Sequence, residues 1–152
     1  MSQYLEIYVK SKEDNFTYLD AFSRNTAMYR LFNEDLGAPY GKARKMTKAR
    51  LQEGLEIASG YLQGFTDRKK KHEDTLQLVS SFNNSVDEKM EAIYELQEYL
   101  EEYDESIVEM EWVTNYLRVL LSMTESISYE GSKTGLYYGI EVGTPTLEDV
   151  VE

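Results

Sequence analysis

Between Tyr40 and Arg50 the chain gathers Lys42, Arg44, Lys45, Lys48 and Arg50, close to the glycines Gly37 and Gly41. A cationic cluster of this kind could grip a phosphate or an acidic partner, helped by backbone N–H groups at the start of a following helix. Lysine and arginine in a first helical turn oppose the helix dipole, and function sometimes leaves such local conflicts behind. Compensation by nearby acids is the other reading of the same charges. No Walker pattern accompanies the cluster, so it does not point to nucleotide binding.

The acids Glu91, Glu95, Glu98, Glu101, Glu102, Asp104 and Glu105 are the other dense group. They superficially resemble the helical metal sites of nucleotide pyrophosphohydrolases, where carboxylates from facing helices meet around a hard cation. Here the acids lie along one helix, and the segment expected to face it offers lysines and arginine, which favours a salt-bridged, solvated face. His72 is the only histidine and there is no cysteine, so no recognisable metal-ligand spacing or thiolate chemistry is present. The sequence therefore assigns no catalytic, cofactor-binding or metal-binding residue. The tip of the predicted hairpin, with Asn83, Asn84, Asp87 and Glu88, is the second candidate binding surface. An acidic coiled-coil tip resembles, in outline, that of bacterial transcript-cleavage factors, but their hairpin is N-terminal and leads into a separate globular domain. The candidate partner-binding residues are thus Tyr40, Lys42, Arg44, Lys45 and Lys48 at the base and Asn83, Asn84, Asp87 and Glu88 at the tip.

These residues must be positioned by a fold that the patterning makes legible. From Thr47, an N-cap candidate, Leu51, Leu55, Ala58, Leu62, Phe65, Lys69, His72, Leu76 and Val79 recur at alternating steps of four and three. After a break at Asn83 and Asn84, Ser85-Val86-Asp87-Glu88 reads as a capping box. Ile93, Leu96, Leu100, Tyr103, Ile107, Met110, Thr114, Leu117 and Leu121 then carry the same spacing. Two heptad patterns joined by a tight polar break predict an antiparallel coiled-coil hairpin. Facing partners are expected to have numbers summing to about 168–169, pairing Leu76 with Ile93, Phe65 with Tyr103 and Leu51 with Leu117. That register sets the basic run Arg68 to His72 beside Glu98 to Glu105, with Lys69 reaching Glu98, Glu101 or Glu102.

Outside the hairpin, Tyr4 to Lys10 alternates as a half-buried strand, and Phe16 to Phe22 is read as a second one after a polar loop at 11–15, although its aromatic-rich pattern also suits the start of a helix. Ser23 is the expected N-cap of a helix to about Leu36, stopped by Gly37. Residues 38–41 read as a turn. Leu136 to Val142 alternates again, before Gly143, Thr144 and Pro145 stop it and leave an acidic tail. The fold class is α+β and predominantly helical: one domain with a coiled-coil hairpin over 47–127, its tip near 83–85. Residues 1–46 and 128–152 form a base of one short helix and a small antiparallel sheet of N- and C-terminal strands.

At 152 residues and 41% hydrophobic content, the chain can bury a core without staples. It has no apolar run long enough to span a bilayer, and its first residues lack the pattern of a signal peptide, so a cytoplasmic protein is expected. The formal charge of −12 repels nucleic acids and anionic membranes at long range and steers basic partners inward. The leading expectation is a non-enzymatic protein–protein interaction protein, an adaptor or inhibitor, that docks a macromolecular partner through the hairpin or the sheet base. Homo-oligomerisation is compatible with it. The first alternative is an acidic, nucleic-acid-mimicking antagonist of a DNA- or RNA-handling enzyme, of the kind a phage would encode. A small metal-dependent nucleotide hydrolase comes last. Neither a membrane contact nor direct nucleic-acid binding is expected, and no cofactor is called for.

Overall fold

The computed structural model describes residues 3–11, 15–127 and 133–151. In chain order the elements are strand β1 (Tyr4–Lys10), strand β2 (Phe16–Ser23), helix α1 (Ala27–Arg30), strand β3 (Ala43–Lys45), helices α2 (Lys48–Ser80) and α3 (Val86–Ile127), strand β4 (Gly135–Ile140) and strand β5 (Val150–Val151). A π-helical turn, Leu31–Asp35, extends α1, and a 3-10 turn, Leu147–Asp149, leads into β5. The expected fold class holds: a long helix pair, a short helix, and a sheet drawn from both ends of the chain. Part of the predicted 11–15 loop and most of the stretch after Ile127 lie outside the described residues.

The chain divides into two compact units, Met1–Ala58 with Val113–Glu152, and Ser59–Trp112. In the first, the sheet runs β2-β1-β4-β3-β5. β1 pairs antiparallel with both β2 and β4, and β3 pairs antiparallel with β4 but parallel with β5. It is therefore larger than the antiparallel sheet expected, and mixed. β4 is buried along its whole length. Successive strand residues face opposite ways, so that burial needs cover on both sides. On one side Leu136, Tyr138 and Ile140 join Leu5, Ile7, Met28, Phe32, Leu51, Val113, Leu117 and Leu120 among the fully or nearly fully buried residues. Tyr137, in contrast, belongs to a smaller cluster with Tyr8, Phe16 and Ala43, against which Val142 and Val150 pack.

The helix predicted from Ser23 is much shorter. Ser23 ends β2, and its carbonyl accepts from the Thr26 N–H at 3.0 Å and the Thr26 hydroxyl at 2.8 Å. Thr26 is the true N-cap, its oxygen accepting from the Tyr29 N–H at 3.2 Å. Ala27, Met28, Leu31 and Phe32 are buried. The strand read as running to Val142 ends at Ile140, because Glu141 turns to a φ of 52°. Its backbone still pairs with Tyr4, and the Glu6 carboxylate accepts from Val142 and Gly143 N–H groups at 3.1 and 2.9 Å, which closes the corner.

Within the second unit, Leu62, Phe65, Lys69, His72, Leu76 and Val79 are less exposed than their neighbours on α2, and Met90, Ile93, Leu96, Leu100, Tyr103 and Ile107 on α3. The predicted seam is the observed one. Its register is not. Lys69 Nζ meets the Asp104 carboxylate at 2.6 Å, and the His72 ring packs against Tyr99 and Tyr103 at centroid distances of 5.4 and 5.1 Å. In the first unit Gly54 lies against Leu117, and Lys48 pairs with Glu125 at 3.4 Å. The numbers of these partners sum to between 171 and 175, roughly one helical turn beyond the expected 168–169. A slip of one turn still sets apolar positions against apolar positions, so the heptad pattern cannot exclude it. Trp112 is 48% exposed, whereas its neighbour Val113 is fully buried.

A cationic hollow at the sheet edge

The segment read from sequence as a loop running into α2 is in part a strand. β3 brings Arg44 opposite Tyr138 and Lys45 opposite Tyr137. Cross-strand partners share a face, so the two basic side chains leave β3 on different sides of the sheet. Thr47 then caps α2, its hydroxyl oxygen accepting from the Arg50 N–H at 3.2 Å, as the sequence predicts. A hollow of about 500 Å³ forms around these residues, lined by Arg44, Lys45, Thr47, Arg50 and Lys133 together with Tyr137, Leu147, Val150 and Val151. Four of its nine lining residues are cationic and none is acidic, in a chain of net charge −12.

Both arginines are held in place. Arg44 Nη1 donates to the Gly37 carbonyl and Arg50 Nη1 to the Leu36 carbonyl, each at 2.9 Å. These carbonyls close the turn after α1, where backbone acceptors lack helical partners. The side chains are thus fixed by main-chain oxygens and keep their charge uncancelled: among the described residues neither arginine has a carboxylate within ion-pair distance. Their Nε atoms are buried without a hydrogen-bond partner, and so is the Tyr138 hydroxyl. Burial holds that hydroxyl above its ordinary pKa, while Arg50 and Arg44 beside it pull the other way. Two guanidinium groups therefore flank one buried phenol, with more donors than acceptors among them. Burial lowers the pKa of Lys45.

The structure brings together only part of the predicted site. Arg44 and Lys45 line the hollow, and Arg50 from the same cluster joins them. Tyr40 is 65% exposed and bridges Ile140 through its backbone. Lys42 reaches Asp149 at 3.9 Å, and Lys48 is spent on Glu125. At the predicted tip, Ser85 and Glu88 form the expected capping box, with both bonds at 3.2 Å, and Asn84 donates to the same Glu88 carboxylate. Lys89 Nζ reaches the Phe82 carbonyl at 3.0 Å. Asn84 and Glu88 thus build the turn, and Asn83 and Asp87 stand exposed beside it. Sequence reasoning missed Lys133 and the apolar wall of Leu147, Val150 and Val151. Lys133 lies far along the chain from Arg50, with no local pattern to mark it.

The wall depends on Asp149. Its carboxylate accepts from the Thr146 N–H at 2.8 Å and the Thr146 hydroxyl at 3.2 Å, which sets the 3-10 turn before β5. The Thr146 backbone bond, then its hydroxyl and Lys42, hold the Asp149 pKa below its ordinary 3.8. A depressed carboxylate stabilises the fold above its unfolded pKa, and that contribution disappears as pH falls through the lower folded value. Acidification below about pH 3.8, or Asp149→Ala at neutral pH, is expected to speed amide hydrogen exchange over 146–151 while β1 and β4 stay protected. Unchanged exchange in Asp149→Ala would show that the turn stands without this cap.

Among the described residues no helix is long and apolar enough to cross a membrane, and no group of three or more potential ligands is placed to hold a metal ion. Comparison with protein-family models, with curated proteins and with solved structures gives no significant match.

Proposed function

We propose that this chain is a non-enzymatic interaction protein that docks a protein partner at the sheet base, by taking an anionic group of that partner into the hollow at Arg44, Lys45, Arg50 and Lys133. The observation that supports this reading is the gathering of four cationic side chains and no acidic one in the lining of a single concave site in a strongly acidic chain. Placing like charges together costs free energy, and an anionic ligand removes that cost. The acidic remainder of the surface repels acidic partners that approach elsewhere, so the hollow also confers selectivity.

The test is binding of a fluorescein-labelled, glutamate-rich peptide, followed by anisotropy at low and moderate salt. Binding that weakens with salt and is lost in the Lys45→Glu, Lys133→Glu double variant is the expected result. Equal binding by wild type and variant, or none by wild type, would overturn the reading.

A further inference from the structure

On α3 a second stripe accompanies the seam. Tyr94, Glu98, Glu101, Glu105, Val108 and Trp112 recur at steps of four and three, the spacing of the seam itself, and all six are exposed. Each stands one or two residues beyond a seam position, which at about 100° per residue turns the stripe away from α2. Such positions in a two-helix hairpin face water and are ordinarily polar. Here Tyr94 is 61% exposed, Val108 66% and Trp112 48%. Val108 and Trp112, one turn apart, share the lining of a hollow of about 550 Å³ with Asp104, Glu105 and Glu109. The glutamates between the apolar ends are a separate observation. Glu98, Glu101 and Glu105 follow one another at three and four residues, the spacing at which like charges on a helix repel. The observed register sends Lys69 to Asp104, and among the described residues none of these three glutamates has a cation within ion-pair distance.

We infer that this face of α3 docks a basic amphipathic helix of a protein partner, with lysine or arginine in its central turns and apolar side chains at both ends. Cations laid along the row of glutamates relieve their repulsion, and the apolar ends cover Tyr94 and the turn from Val108 to Trp112. The stripe spans about five helical turns and keeps a heptad spacing throughout, which is what a further helix packing alongside requires. A docking strand would need a sheet edge to pair with, and α3 offers none because its backbone bonds lie within the helix. Nucleic acid and anionic lipid are repelled by the same glutamates. The surface shares no residue with the cationic hollow and does not depend on how that site is read.

The test uses the full chain and a fluorescein-labelled peptide of about 20 residues, built on alanine and glutamine. Its heptad-spaced stripe carries leucines at both ends and three lysines between them. Anisotropy measures affinity, and circular dichroism of the mixture measures the helix gained. A scrambled peptide of the same composition controls for attraction by net charge alone. The stripe peptide is expected to bind at least tenfold tighter than the scrambled one, and to gain helix as it does. Val108→Ser and Trp112→Ser leave the charge unchanged, and each is expected to weaken binding roughly tenfold. Glu101→Gln combined with Glu105→Gln, both at exposed positions, should weaken it by a similar factor and flatten its salt dependence. Equal binding of the scrambled peptide would overturn the inference, as would affinity unchanged in both charge-neutral variants. So would a dimer of the chain alone that Val108→Ser dissociates in sedimentation, because a second copy would then cover this face. Each of these results leaves the reading of the hollow standing, since its probe is an anion and its residues are not varied.

Discussion

Gly139→Ala is expected to destabilise the sheet base by more than about 3 kcal/mol, one of the largest effects of any single substitution here. The cause is contact rather than backbone conformation. A methyl group at this position would lie 1.9 Å from the Lys42 carbonyl oxygen and 2.6 Å from Val142 Cγ2. The first of these is main chain and cannot swing aside. It is pinned on both flanks, by Gly41 N–H to the Ile140 carbonyl at 2.7 Å and by Met46 N–H to the Leu136 carbonyl at 2.7 Å. Alanine must therefore push the strand that carries Arg44 and Lys45 off β4. Thermal melts followed by circular dichroism should show a fall of roughly 10 °C. Gly60→Ala supplies the control with the opposite sign. A methyl there meets nothing within 4 Å on exposed α2, and alanine in a helix gains about 0.5–1 kcal/mol over glycine. Were Gly139→Ala to melt with wild type, the close passage of residue 42 over β4 would be wrong.

Phe32→Ala is expected to cost about 3–5 kcal/mol, as large apolar truncations in a full core do. Phe32 is fully buried, and its ring meets Tyr138 edge-on at 5.1 Å. Tyr138 in turn lies near both Arg44 and Arg50. Loss of the phenyl ring therefore opens a cavity beneath the residue on which the arginines rest. Urea denaturation measures the stability loss, and anisotropy of the labelled glutamate-rich peptide below the transition measures the second consequence. Affinity should fall although Phe32 lines no part of the hollow. Phe32→Leu, which keeps most of the volume, should recover most of both. A stability loss below about 1 kcal/mol for Phe32→Ala would show that this region repacks freely.

How much of this could be read from residue order differs element by element. The long helices were legible because a seam repeating every three and four residues has few other solutions, and its members are the less exposed positions in the structure. The capping box at Ser85 and Glu88 was legible for the same local reason. β1 and β4 showed alternation in the sequence, whereas β2 was read from an aromatic-rich run after a polar loop. β3 and β5 did not, because three residues and two residues carry no period. They exist as strands only because β4 offers an edge and the parallel pairing of Ala43 with Val150 and Arg44 with Val151 completes it.

Sequence by itself thus determined the elements, the identity of the seam, and the presence of an unusual cationic cluster in an acidic chain. Those are properties of residues near one another in the chain, where spacing and composition carry the information. Tertiary structure decided the register of the helix pair, since Lys69 with Asp104 and a pairing one turn away satisfy the same hydrophobic pattern. It also decided which cations act together. Lys42 and Lys48 were drawn to Asp149 and Glu125, whereas Lys133 was brought from across the chain to join Arg44, Lys45 and Arg50. Charge and size are fixed by the residue, but which charges are opposed depends on neighbours that only the folded chain supplies.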